Sequence, residues 1–269
     1  SIFFNTNAFA ALCVNGPAPS VGCEINSVDT TYNMEGDITP DPNLNGISFS
    51  IDADNNILNL IGNIAVSEAF GKGIVLTDSD FNNSTITGNI TTSGEDGWGI
   101  HFESGSNSNT TTIIGNIDTQ GLNSYGIFLK HGDSNTINVT GNITTTGDGA
   151  YGMRLNGSVS NDITINGNIT TSGTDGDSEA IFINNSDSNT ITLSGSIQSL
   201  GGDQAIYINA GSDANTFGIE SGATFLGEFE NIGTNTVITN QGVMDGIENT
   251  GSIATFNNAQ TGATYSGTL

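Results

Sequence analysis

Large apolar residues in this chain alternate with polar ones in short runs, and the runs return at a fixed interval. Gly-Asn-Ile occurs at 62–64, 88–90, 115–117, 141–143 and 167–169, then as Gly-Ser-Ile at 195–197, with spacings of 26, 27, 26, 26 and 28. A second landmark keeps step with it: GKGIVL at 71–76, WGIHF at 98–102, YGIFL at 125–129, YGMRL at 151–155, EAIFI at 179–183 and QAIYI at 204–208. Period-two alternation marks strands, whereas helical repeats need apolar spacings of three and four. Two motifs sharing one period mark a repeat architecture. The pattern predicts an all-β chain folded as a right-handed parallel β-helix, a β-solenoid with coils of about 26 residues. Each coil carries two strand runs, one like SNTITLSGSI at 188–197 and one like AIFI at 180–183. Turns such as SGEDG at 93–97 and TGDGA at 146–150 separate them. Rungs about 4.8 Å apart would give a rod on the order of 40 Å long.

Strand side chains alternate between faces, so inward columns follow from the alignment. The first run points Leu60, Ile86, Ile113, Val139, Ile165 and Leu193 inward, and Ile64, Ile90, Ile117, Ile143, Ile169 and Ile197 four residues later. Between them, glycine at 62, 88, 115, 141, 167 and 195 permits a bend. The second run contributes Ile74, Ile100, Ile127, Met153, Ile181 and Ile206, followed by Leu76, Phe102, Leu129, Leu155, Ile183 and Ile208. Asn63, Asn89, Asn116, Asn142 and Asn168 form a column of their own, expected to hydrogen-bond along the axis as a ladder. The Asn-x-Thr triplets arise from that column, so they are not read as glycosylation signals.

The ends depart from the period. Residues 1–45 hold all four prolines and both cysteines. They read as an N-terminal cap covering the exposed strand edge, pinned by a Cys13–Cys23 disulfide loop. Residues 46–221 form the regular β-helix, and from about 222 to 269 the landmarks NQGVM, NTGSI and NAQTGA recur every nine residues, predicting smaller coils that continue the stack.

Composition adds a compartment. The chain has 28 Asp+Glu against 3 Lys+Arg, a formal net charge of −25, which disfavours phosphate backbones and anionic lipid heads. Nucleic acid is therefore not an expected partner. No apolar run is long enough for a membrane-spanning helix, so direct membrane insertion of this segment is not expected either. The opening residues lack a signal-peptide pattern, and Ser1 is taken as close to a processed start. A disulfide fits an oxidising, extracellular setting.

The strings SNTITLSGSI, NITTSG, YGIFL and ITNQGVMDGIENTGSIATFNN make residues 45–269 resemble the passenger regions of bacterial autotransporters of the β-helix type. The resemblance implies export, passage through an outer-membrane barrel, and display at the bacterial cell surface. The barrel itself has no counterpart in this sequence. The implied role is a non-enzymatic structural or adhesive module, a stalk or adhesin. Its expected partners are a host or environmental glycan or protein, or copies of the chain itself.

Candidate chemistry lies on the strand faces and at the turns. If Ile100 and Phe102 point in, His101 points out, in a column with Val75, Phe128, Arg154, Phe182 and Tyr207. Trp98, Tyr125 and Tyr151 stand at the strand entrance, beside a column of glycine and alanine. These eight residues (Trp98, His101, Tyr125, Phe128, Tyr151, Arg154, Phe182 and Tyr207) are the candidate binding stripe: either an exposed interaction surface or packing beneath loops or the N-terminal segment. Asp133, Asp187 and Asp213 recur at one turn and offer hard oxygen ligands for a structural calcium ion, although the calcium-binding nonapeptide pattern is missing; no other cofactor is expected. Acids at 78, 80, 95, 96, 148, 175, 177, 179 and 203 recur with the repeat, whereas a glycosidase needs two carboxylates facing one cleft. No nucleophile, zinc-protease or phosphate-loop motif appears, so no enzyme is expected. The alternatives are a self-assembling surface-layer or filament subunit, a carbohydrate-active or tail-fibre-like glycan binder, and an ice-binding solenoid. The last draws on the outward rows Thr85, Thr112, Thr164, Thr192 and Thr110, Thr136, Thr190, interrupted by Asn138 and Asp162.

Overall fold

The computed structural model describes residues 11–19, 21–41, 44–174, 177–201, 204–258 and 264–265, and every regular element among them is a strand. The strands pair in parallel with their equivalents one coil away, giving a β-solenoid of about eight turns with coils of roughly 26 residues. The four expected inward columns are buried along their whole length. In-register pairs such as Ile74, Ile100 and Ile127 stack directly above one another. Each such side chain contributes about 1.5–3 kcal/mol by leaving water. A further inward column lies two residues before the first: Leu58, Ser84, Thr111, Ile137, Ile163 and Ile191.

Each coil has three strand segments rather than two. The first run breaks at its glycine into a five-residue strand, such as Thr110–Ile114, and a three-residue one, such as Ile117–Thr119. The break is steric. Gly115 sits at φ +155°, and a Cβ there would lie 2.1 Å from the carbonyl oxygen of Gly88 on the preceding rung. Only glycine lets the backbone turn a corner so close to its neighbour. The third segment, such as Ile127–Lys130, completes the coil.

Two asparagine ladders tie the rungs together. On the outside, the expected column forms, but the acceptor side chain reaches backbone rather than another side chain. The Asn116 N–H donates to Asn89 Oδ1 at 2.8 Å, and the Asn142 N–H to Asn116 Oδ1 at 2.9 Å. A second, buried ladder runs the opposite way: the Asn82 N–H donates to Asn109 Oδ1 at 2.8 Å, and the Asn109 N–H to Asn135 Oδ1 at 2.9 Å. Each buried amide also donates inward-facing hydrogen bonds, as Asn135 Nδ2 does to the Ser106 carbonyl at 2.9 Å. These groups satisfy main-chain donors and acceptors that a turn leaves unpaired away from water.

Both ends follow the ladders. Ala11–Leu12 pairs with Cys23–Ile25, and Gly16–Pro17 pairs with Thr31–Glu35, within the segment expected as a cap. The Cys13–Cys23 disulfide closes between these first rungs, with an S–S distance of 2.07 Å. Toward the other end, Thr224–Asn231 pairs with both Ser196–Ser199 and Ile206–Ile208, merging two of the three columns. There Asn231 aligns with Asn249 and Asn240 with Asn258, so a coil has shrunk to 18 residues. The nine-residue spacing in the sequence is therefore half a coil, one landmark for each remaining side. The landmark at 258–263 lies mostly outside the described residues.

Candidate functional site on the aromatic flank

The flank is built by register. The middle residues of the third segments align one above another: Glu24, Ser48, Val75, His101, Phe128, Arg154, Phe182, Tyr207 and Glu230. They face away from the core because their neighbours on either side, such as Ile100 and Phe102, face into it. Lys72, Trp98, Tyr125 and Tyr151 stand two residues ahead of the first inward position, at the same strand entrance.

All eight predicted residues come together, but half of them are buried and none stands fully exposed. His101 (2%), Tyr125 (8%), Phe128 (5%) and Tyr151 (7%) are buried, and Trp98, Arg154, Phe182 and Tyr207 are partly covered. The reason is the rung spacing. Parallel strands about 4.8 Å apart hold rings in one column at contact distance. The rings therefore cover one another. Trp98 meets His101 edge-on at 4.4 Å and Tyr125 in a stack at 5.8 Å. His101 stacks on Phe128 at 5.0 Å, Tyr125 meets Tyr151 at 5.0 Å, Tyr151 meets Phe182 at 5.2 Å, and Phe182 stacks on Tyr207 at 5.4 Å. Each pair contributes about 0.5–1.5 kcal/mol beyond its buried area.

Two cations complete the ridge. The Arg154 guanidinium lies 5.4–5.5 Å from the ring centres of Tyr125, Phe128, Tyr151 and Phe182, and its Nη1 donates to Tyr125 Oη at 2.8 Å. Lys72 Nζ lies 4.6 Å over the Trp98 ring and donates to the Phe70 carbonyl. Burial lowers the Lys72 ammonium from its ordinary value, while Glu103 and Asp96 pull it back up.

His101 is the anomaly of the ridge. Neither ring nitrogen has a hydrogen-bond partner, and Nδ1 stops 3.6 Å short of Glu103 Oε1. Burial, with smaller contributions from Lys72 and Lys130, holds its pKa down at about 3. The imidazole is therefore neutral at ordinary pH and packs as an aromatic ring.

The turn acids act as ties between rungs. Asp133 Oδ1 accepts the Val159 N–H at 2.7 Å, Asp187 Oδ1 accepts the Asp213 N–H at 2.7 Å, and Asp213 Oδ1 accepts the Thr234 N–H at 3.2 Å. One oxygen of each calcium candidate is thus already engaged. Among the described residues no three His, Cys, Asp or Glu side chains converge on a point where they could share an ion. Asp175 and Asp203 lie outside the described residues. The threonine rows face outward on the first strand segments as expected, with Asn138 beside Thr112 and Asp162 beside Thr136 in register.

The fold and flank define a parallel β-solenoid with an external aromatic ridge. No family model matches the chain, and no curated protein matches it. Among solved structures, a chain in the cryo-EM structure of the Vag8-C1 inhibitor complex is similar, with a TM-score of 0.45 and 14% identity, over 91% of this chain and 70% of that one.

Proposed function

We propose that this chain is a non-enzymatic rod displayed outside a bacterial cell in the manner of an autotransporter passenger, acting as a stalk or adhesin toward a glycan or protein. The observation that carries this reading is the unbroken parallel ladder from Gly16–Pro17 to Ile253–Asn258, closed at its first rungs by a disulfide. Such a stack is stiff along one axis because every rung is hydrogen-bonded to the next along the ladder. A disulfide in the first rungs suits an oxidising exterior. A net charge of −25 keeps such rods apart in solution. The ridge adds stiffness to one flank and leaves Trp98, Phe182 and Tyr207 partly open to a partner.

Antibody labelling of intact cells of the source bacterium tests the placement. The reading expects labelling before lysis, and labelling seen only after lysis overturns it. Electron microscopy of the purified chain tests the form. Separate rods support the stalk or adhesin, and ordered layers or filaments overturn it in favour of a self-assembling subunit.

A further inference from the structure

The aromatic column ends abruptly toward the N-terminus. Below His101 the same outward position is occupied by Val75 and then Ser48, and the next is Glu24. Two smaller residues where later rungs hold rings leave a shallow, open groove of about 490 Å³ along the flank. That volume falls within the usual range of small-molecule sites, about 300–1,000 Å³. The groove follows the rod axis from Glu24 to Glu103. These residues are three rung steps apart, about 14 Å at the spacing of parallel strands.

Its lining mixes apolar surface from Phe49, Ile51 and Val75 with polar groups that are already organised. Glu24 accepts from Ser50 Oγ, and Glu103 Oε2 accepts from Thr77 Oγ1 at 2.9 Å. Asn45 Nδ2 donates to Ser48 Oγ at 3.0 Å. Lys72 closes one side, with its ammonium over the Trp98 ring. Beside the groove, the buried His101 nitrogens lack partners, with Nδ1 facing the Glu103 carboxylate across 3.6 Å. Leaving a buried polar group unpaired costs about 1–3 kcal/mol, a cost carried at the edge of the groove by a ring that does not itself line it.

The geometry points to a binding site for a short, neutral, extended oligosaccharide, lying along the axis between Glu24 and Glu103. Two carboxylates accept from sugar hydroxyls, the Lys72 ammonium and the Ser48 hydroxyl supply the complementary donors, and Thr77 Oγ1, whose hydrogen goes to Glu103, serves as a further acceptor. The rung spacing is close to the advance of one pyranose unit in an extended chain, so successive rings meet successive rungs, each with a different polar group: Glu24, Ser48, Thr77 and Glu103. Two carboxylates against one ammonium, on a chain of net charge −25, disfavour an acidic sugar. This inference deepens the adhesin reading by giving it a ligand class and a place.

The test is a calorimetric titration of the full, oxidised chain with cellotriose, chitotriose and tri-galacturonate, with Trp98 emission as a second readout. Trp98 is the sole tryptophan, so its emission reports any ligand that draws Lys72 off its face. Saturable binding of at least one neutral trisaccharide is expected, with tri-galacturonate failing to bind. Glu103→Gln keeps an acceptor for Thr77 and should weaken binding about ten-fold, the loss of one charged acceptor. Ser48→Phe fills the floor and should abolish it, while Thr164→Ala on another face leaves it unchanged. No binding by either neutral probe, preference for the acidic one, or binding indifferent to both groove variants overturns the site. Micrographs of the same samples separate this outcome from failure of the display reading: rods that bind no sugar overturn the groove alone.

Discussion

The two asparagine ladders offer a matched pair of perturbations, because each removes the same side chain from a different environment. Asn135→Ala deletes the acceptor of the Asn109 N–H at 2.9 Å and of Asn109 Nδ2 at 3.2 Å, and the donor to the Ser106 carbonyl at 2.9 Å. Asn135 and Asn109 are each only 1% exposed, so water does not replace the lost partners. Two main-chain groups left unpaired at about 1–3 kcal/mol each give an expected loss of about 2–6 kcal/mol. Asn116→Ala deletes the acceptor of the Asn142 N–H at 2.9 Å, but this ladder is exposed and water takes over. Its expected cost is about 0.5–1.5 kcal/mol. Guanidinium unfolding followed by circular dichroism measures both, through midpoints where refolding is reversible and through unfolding rates where it is not. Equal losses, or a larger loss for Asn116→Ala, would refute the argument that the inner ladder holds the coils together by sparing buried backbone.

Three further perturbations follow from single sites. Gly222→Ala and Gly115→Ala both force alanine into positive φ, a strain of about 1–3 kcal/mol, but only Gly115 has a carbonyl oxygen 2.1 Å from the new Cβ, so its melting temperature should fall much further. Comparable melting temperatures would dispose of the steric account of the corner. His101→Phe removes two unpartnered buried nitrogens and continues the ring stack, so it should raise thermal stability. Because folded His101 titrates at about 3 rather than 6.5, only the unfolded chain binds its proton between those values. Stability should therefore be lost as pH drops from about 6.5 toward 3, by up to about 1.4 kcal/mol per unit, a share absent from His101→Phe and read from denaturation midpoints of both proteins. Replacing Cys13 and Cys23 by serine opens a loop with a sequence separation of 10, costing about 2.5–3 kcal/mol on the loop-entropy account. Rungs hold only their neighbours, so limited proteolysis should show new cleavage near the N-terminus and none in the central coils.

Much of the fold was legible because stacked coils convert a one-dimensional period into a three-dimensional address. Ile100 and Ile127 are 27 residues apart, and the structure places them in register without exception for their neighbours. The inward columns followed from that alignment and from alternation alone. The second, three-residue segment, such as Ile117–Thr119, was less legible, since SNTITLSGSI reads as one run until the backbone approach at the glycine is seen. The buried ladder of Asn82, Asn109 and Asn135 was hidden for a different reason. Asparagine before a strand looks like ordinary turn chemistry, and only the structure shows the amide turned inward.

The flank shows where such reading fails and why. Sequence alternation correctly sent His101 and Phe128 outward, but outward is a direction and exposure is a sum over neighbours. A ring standing alone on a sheet face is open to water. The same ring repeated at every rung lies within contact of the next and is covered, as the 5.0 Å stack of His101 on Phe128 demonstrates. On a solenoid, then, a regular column tends to close upon itself, and accessible concavity arises where a column changes character. Ser48 and Val75, which stand where later rungs hold rings, leave the groove, and in the sequence neither carries a signal of its own: Ser48 precedes the repeated landmarks and Val75 is an ordinary strand residue. The residues that bind should be sought at the interruptions of the pattern, and the intact pattern is what holds those interruptions in place.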